Sequence, residues 1–429
     1  MTGHLSRRDF TRLGAAFAGT GLLAACSTAG SPAKARVVVV GGGFGGATAA
    51  KYTRLLDRGI AVTLVEPSRR FVTCPGSNAV LAGLKRIDDL TLDYRELGDR
   101  HGVEVVHDTV TGIDPAKRSV MLTNGTSLPY DRLIVAPGID FRRSAIDGYN
   151  DSAEARMPHA WKAGDETLRL RRQLEAMDDG GLFIIVAPPT PYRCPPGPYE
   201  RASLAAYYFK RAKPRSKILI LDAKDQFPEQ GLFEDGWKAQ YGNMIEWVPL
   251  SQDGRVTEAR PDEMTVVSEF GEPHKGAVIN LIPPQQAGQV ARDAGLANQT
   301  GWCPIDPMTC ESTIHKDVYV IGDSALAGAM PKGAFAANTQ AKVTALAIVN
   351  ALAGRPVATP TYLSSCYSLV APDYGFSVID VFRATPQGIV SVPGAGGGSP
   401  RKADAGVRAQ EARYAESWYQ SITDEIWRS

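Results

Sequence analysis

The stretch Arg36-Val37-Val38-Val39-Val40-Gly41-Gly42-Gly43-Phe44-Gly45-Gly46 decides the fold. After Arg36 comes an apolar, β-branched run, which reads as a buried parallel strand, and the glycines follow without a gap. Gly41, Gly43 and Gly46 fill the glycine positions of G-x-G-x-x-G, and a helical pattern over residues 47–57 comes next. A second strand pattern, residues 60–65, ends in Glu66, about 20 residues beyond the last glycine. Strand, glycine turn, helix, strand and acid in this order predict a Rossmann unit. The bare turn lets backbone N–H groups approach a pyrophosphate, and the acid accepts hydrogen bonds from a ribose. A glycine-rich loop that binds nothing is the competing reading, and an acid at this distance argues against it.

The same layout recurs downstream with one component replaced. Residues 182–186 are an apolar strand pattern, and residues 217–221 form another that ends in Asp222. The turn after the first of them reads Pro188-Pro189-Thr190-Pro191-Tyr192-Arg193-Cys194-Pro195-Pro196-Gly197-Pro198-Tyr199-Glu200, with a helical pattern from about Arg201. Six prolines remove backbone donors that a phosphate would need. The fold of a second nucleotide domain is therefore predicted without its nicotinamide site, and a single sulfur, Cys194, stands where that cofactor would react.

The segment Tyr130-Asp131-Arg132-Leu133-Ile134-Val135-Ala136-Pro137-Gly138 resembles the exit from the FAD domain in glutathione-reductase-like flavoproteins. Residues 317–323, ending in Gly322-Asp323, resemble the second FAD signature of that group, in which a strand-end aspartate bonds the ribityl chain. An ordinary turn-initiating Asp is the alternative for Asp323. A helix predicted from near Met330 to about Ala353 would aim its positive N-terminus at the flavin, with Lys332 adding charge or lying in an exposed loop.

The resulting prediction is an α/β protein with two Rossmann-like dinucleotide-binding domains and a smaller C-terminal α+β domain. Residues 1–35 are a signal segment, 36–150 and 285–355 a discontinuous FAD-binding domain, 151–284 the second Rossmann-like domain, and 356–429 a flavin-covering or interface domain. The terminal helix, with Tyr414, Trp418, Tyr419 and Trp427, reads as core or subunit contact.

Three segments carry a more specific resemblance: Phe71 to Asn78 around Cys74, Arg193 to Arg201 around Cys194, and Cys366-Tyr367-Ser368-Leu369-Val370-Ala371-Pro372-Asp373-Tyr374. They resemble the flavoprotein subunit of flavocytochrome c sulfide dehydrogenase, a relative of sulfide:quinone oxidoreductases. The resemblance implies that FAD is carried on Cys74 as a thioether, and that Cys194 and Cys366 form a redox-active disulfide beside it. In Pro75-Gly76 the chain departs from the bulkier residues usual after the linking cysteine. Hydrosulfide would open the disulfide by thiol exchange, leaving a persulfide and a thiolate, and two electrons would pass to the flavin. Glu200 is either an acid–base group or an ordinary first-turn carboxylate. No C-x-x-C-H occurs, so a separate cytochrome c subunit is the implied acceptor. A quinone-reducing sulfide oxidase and a non-catalytic cytochrome-binding flavoprotein are the alternatives.

Totals and termini narrow the setting. The 429 residues carry a formal net charge of +1, which argues against nucleic acid as a partner. Ser6-Arg7-Arg8-Asp9-Phe10 and the following apolar run predict twin-arginine export to the periplasm. Leu23-Ala24-Ala25-Cys26 reads as a lipobox, which would leave a lipid anchor on Cys26, while Ala33-Lys34-Ala35 offers ordinary cleavage. Cys303 and Cys310 fit no zinc spacing and read as buried thiols, and no metal site is predicted.

Overall fold

The structure is a computed structural model that describes residues 33–429. The twin-arginine segment and Cys26 lie outside the described residues.

Apolar runs become central strands. The chain enters through β1 (Ala35–Val40), turns through the glycines into α1 (Phe44–Leu56), and returns as β2 (Ile60–Val65). It adds β3 (Glu104–Val106) and β4 (Arg132–Val135), then leaves to build a second sheet. That sheet comprises β5 (Leu182–Ala187), which feeds α2 (Gly197–Ala212), then β6 (Lys217–Asp222), α3 (Gln230–Tyr241), β7 (Ile245–Val248) and β8 (Val278–Leu281). The first sheet is completed only afterwards, by β9 (Val318–Val320). Its order is β9-β4-β1-β2-β3, all parallel, and the second sheet runs β7-β6-β5-β8, also parallel. Ligands of open parallel sheets bind beyond the carboxyl ends of the strands, and the glycine turn, the proline turn and Asp323 all lie there.

The glycine turn follows from close packing. A Cβ on Gly41 would sit 2.4 Å from the carbonyl oxygen of Ala136, and one on Gly46 would sit 1.8 Å from that of Gly41. Gly41 also has φ +97°, a conformation that L side chains rarely adopt. Helix α1 begins at Phe44, three residues before the predicted start, because the glycines join its first turn. Helix α2 begins at Gly197 rather than near Arg201, since proline is tolerated where helical N–H groups have no partner. The segment around Cys74 runs into a short helix, Ser77–Leu81.

Past β9, helix α4 (Ala334–Leu352) packs on α1, and an antiparallel hairpin follows, β10 (Thr361–Ala371) with β11 (Tyr374–Thr385). The last helix, α5 (Ala405–Thr423), is capped by the Asp404 side chain, which accepts from Val407 N–H at 2.9 Å. A closing π-turn buries Trp427 against Phe44 and Phe71, with ring centroids 5.2 Å from each. Lys51 of α1 donates to the backbone carbonyl of Ser429 at 2.7 Å. The terminal aromatics are thus mostly core, with Tyr414 left half exposed. No helix among the described residues is long and apolar enough to cross a membrane.

Candidate active site

Three cysteines far apart in sequence reach one cavity. Cys74 comes from the loop after β2, Cys194 from the proline turn and Cys366 from β10, and all three line a cavity of ≈ 700 Å³. The Cys74 loop is pinned by the C-terminal helix, Thr73 Oγ1 lying 2.8 Å from the Tyr419 hydroxyl. Cys74 Sγ lies 3.5 Å from the carbonyl oxygen of Trp161.

The proline turn presents Cys194 in a left-handed conformation, φ 56°, which a non-glycine residue adopts only when its surroundings hold it there. Cys194 N–H donates to the carbonyl of Lys332 at 2.8 Å, and Arg193 N–H to Gln285 Oε1 at 2.8 Å. The two donors that flank the sulfur are therefore satisfied within the protein. Gly197 makes room for the sulfur, because a Cβ there would stand 3.0 Å from Cys194 Sγ and 2.6 Å from the Trp161 ring. Trp161 in turn donates its indole N–H to the carbonyl of Arg193 at 3.1 Å.

Burial governs the thiols. It pushes Cys194 up to about 12, with the Glu200 carboxylate adding to the effect, and it raises Cys366 well above the ordinary range, reinforced by Cys194, Glu229 and Glu200. Cys194 and Cys366 are free thiols in this structure, so the disulfide implied by the resemblance is not formed in it. Cys303 and Cys310 are buried free thiols.

Glu200 is half-buried in the first turn of α2. Its Oε2 accepts from Asn78 Nδ2 at 2.8 Å and its Oε1 from Leu369 N–H at 3.0 Å, and burial raises its pKa. The neighbouring Arg201, which the sequence did not single out, is the largest buried cation at the site. Only 2% exposed, it donates to Asn78, His159, Asn280 and Ala160 and lies over the Trp161 ring at 4.8 Å. Around His159, Glu154 and Glu166 bring ligand-type atoms within 4.8 Å of one another. Both ring nitrogens of His159 face those carboxylates, Phe141 stacks on the ring at 4.1 Å, Glu154 accepts from Arg143 Nε at 2.6 Å and Glu166 from Ala160 N–H at 3.0 Å, so the group is a hydrogen-bonded brace for the segment around residue 160.

The FAD residues predicted from the motifs gather at the first sheet. Glu66 Oε2 accepts from Gly42 N–H at 2.8 Å, placing the acid against the glycine turn. Gly41, Gly43 and Gly46 leave the turn bare, and the α1 N-terminus has no side-chain cap. Asp323 Oδ1 is buried with no partner among the described residues, and Arg193 lies 4.0 Å from the other carboxylate oxygen. Burial raises the Asp323 pKa against the Arg193 and Lys332 charges, and a hydroxyl-rich chain would supply a donor to Oδ1. These features fit FAD. Lys332 is neither an exposed loop lysine nor a free charge. Its ammonium donates to the carbonyls of Asp323 and Ala325 at 2.7 and 2.8 Å and lies over Trp302 at 3.8 Å, and burial lowers it to about 8. It fastens the Asp323 loop while lining the cavity.

In the second sheet, the acid that would hold a ribose has other partners. Asp222 Oδ2 accepts from the Tyr199 hydroxyl at 2.5 Å and Trp247 Nε1 at 2.9 Å, and Lys224 lies 2.5 Å from Oδ1. Tyr199 stacks on Phe227 at 3.6 Å, packing aromatic rings beside that strand end.

Comparison with known proteins adds to this geometry. Residues 167–283 match the family described as sulfide dehydrogenase [flavocytochrome c] flavoprotein chain, central, and residues 358–427 match flavocytochrome c sulphide dehydrogenase, flavin-binding. Residues 35–175 match pyridine nucleotide-disulphide oxidoreductase. The flavoprotein chain of sulfide dehydrogenase from Chlorobaculum thiosulfatiphilum is 76% identical over 45 residues, 10% of this chain and 94% of that sequence. Mouse mitochondrial sulfide:quinone oxidoreductase is 28% identical over 333 residues, 73% of this chain and 71% of its own. The structure of the sulfide:quinone oxidoreductase from Aquifex aeolicus superposes with a TM-score of 0.69 at 17% identity, covering 92% of this chain and 91% of that one, which establishes a shared fold.

Proposed function

The chain belongs to the flavoprotein chains of flavocytochrome c sulfide dehydrogenase, a family of sulfide-oxidising flavin oxidoreductases, and from that premise we propose that it oxidises sulfide at a Cys194–Cys366 pair and delivers the electrons to a cytochrome c subunit. One observation supports this reading above the others: Cys194 and Cys366, about 170 residues apart, line the same cavity. FAD, when bound, supplies a two-electron acceptor that can release electrons singly. The chain's own residues do the sulfur chemistry. Hydrosulfide is a good nucleophile near neutral pH, and attack on a Cys194–Cys366 disulfide leaves a persulfide and a thiolate. Gly41, Gly43, Gly46, Glu66 and Asp323 would hold the dinucleotide. Export by the twin-arginine segment puts the pair in a periplasm where disulfides persist.

Anaerobic addition of sulfide should bleach the flavin of the purified protein, and cytochrome c should restore its colour faster than a short-chain quinone does. Faster recovery with quinone would move the chain to the quinone-reducing alternative. Absence of bleaching would overturn sulfide oxidation.

Cys74 is the proposed covalent anchor. Its loop is fixed by Thr73–Tyr419 and Phe71–Trp427, and its thiol lies close enough to Cys194 to add to that thiol's raised pKa. Acid-precipitated protein should stay yellow, and Cys74→Ser should give a colourless pellet with yellow supernatant. A colourless wild-type pellet would remove the thioether.

A further inference from the structure

A second carboxylate stands at the sulfur pair, and it is better placed for proton transfer than Glu200. Glu229 lies at the N-terminus of α3, next to the cavity wall formed by Cys366, and its side chain lines that cavity. It holds a left-handed conformation, φ 55°, outside the preference of a glutamate. Its Oε2 is buried with no hydrogen-bond partner among the described residues. A buried carboxylate oxygen without a donor is costly, and such exceptions concentrate at functional sites. Both oxygens of Glu200, by contrast, already accept hydrogen bonds, from Asn78 and Leu369.

The register of the hairpin supplies the other half. Cys366 pairs with Val378 and Ser364 with Asp380, so Ser364, Cys366, Val378 and Asp380 share one face of the sheet, and all four line the cavity. The ionisable groups around Glu229 are Asp380 from β11, Cys366 from β10 and Tyr192 from the proline turn.

We infer that Glu229 is the proton acceptor for sulfide at Cys366, a reading that rests on the disulfide chemistry proposed above. Hydrosulfide sulfur attacks Cys366 Sγ of the Cys194–Cys366 disulfide. A new S–S bond forms, the old one breaks, and its electron pair goes to Cys194 Sγ as thiolate. The attacking sulfur is oxidised and the disulfide reduced. The proton left on the outer sulfur of the Cys366 persulfide passes to the Glu229 carboxylate, which returns it to water through the cavity. Burial raises Glu229 to about 7, with the Asp380 charge adding to the effect, so the carboxylate exchanges protons at the pH where sulfide itself ionises.

The test is stopped-flow flavin bleaching against pH, with rates taken against hydrosulfide concentration to remove the substrate's own ionisation. Glu229→Gln should lower the rate on the order of 10²-fold and flatten the profile. Asp380→Asn removes a negative neighbour of Glu229 and should move the inflection of the profile to lower pH by about half a unit or more. Cys194→Ser is the control for the underlying reading. If that variant bleaches normally, the disulfide chemistry fails. If it is inactive while Glu229→Gln keeps the wild-type rate and profile, the assignment of Glu229 alone fails. Should Glu229→Gln lose its flavin, the Asp380→Asn shift decides, and an unmoved inflection overturns the proposal.

Discussion

Cys366→Ser will fold and bind FAD but will bleach with sulfide on the order of 10³-fold more slowly than the wild type, or not at all. The substitution keeps side-chain size on a half-buried strand position, so its cost in stability stays near 1 kcal/mol. Its chemical consequence is complete under the proposed mechanism, because a hydroxyl cannot form the disulfide that hydrosulfide would open. Anaerobic stopped-flow absorbance of the flavin measures it, with dithionite reduction showing that the flavin remains reducible. Bleaching within a few-fold of wild type would remove the sulfur pair from the reaction. The environment of the pair gives the prediction its force. Burial holds Cys194 near 12 and Cys366 well above the ordinary thiol range, so the cavity opposes a resting thiolate on either sulfur. A thiolate released there by the proposed reaction would be high in energy and would favour onward electron transfer over storage.

The parts of this site that were legible from sequence are those written in contiguous residues. The strands flanking Gly41–Gly46 and the acid at Glu66 follow from apolar runs and turn geometry within about 30 residues, and the first sheet contains them in the expected order. The loss of the glycine turn in the second nucleotide domain was equally visible, though the reason that Asp222 lacks a free oxygen lies in Tyr199, Trp247 and Lys224, three positions that no local pattern connects. The meeting of Cys194 with Cys366 depends on how the C-terminal hairpin folds back over α2, and only the family resemblance foretold it. Glu229 was silent in sequence, since a single glutamate before a helical pattern looks like any N-terminal acid. Its significance comes from strand register, which places Asp380 and Cys366 on the facing wall. Lys332 was noticed for its charge, but its carbonyl partners at Asp323 and Ala325 give that charge a mechanical task.

Arg201→Met will destabilise the protein by about 3–5 kcal/mol, the range for uncoupling a buried, hydrogen-bonded charge from its partners. Helix α2 brings this guanidinium to the junction of three segments. Nε donates to Asn78 Oδ1 at 3.0 Å, Nη1 to the His159 carbonyl at 2.9 Å and Asn280 Oδ1 at 2.8 Å, and Nη2 to the Ala160 carbonyl at 2.7 Å. Burial lowers Arg201 to about 10, yet it stays charged at neutral pH. Methionine would fill the volume and leave those acceptors in the interior without a donor, which is the expensive half of a lost hydrogen bond. Lysine would restore the charge but not the planar fork that reaches separate partners, so Arg201→Lys should recover only part of the loss. Urea denaturation reads the difference, and a loss below about 1 kcal/mol would mean that water satisfies the network. The effect should extend to the chemistry. Arg201 lies over Trp161, and Trp161 holds the Arg193 carbonyl beside Cys194. Loosening that stack frees the turn from the left-handed conformation that aims the sulfur, so sulfide-driven bleaching should slow even in the fraction that remains folded.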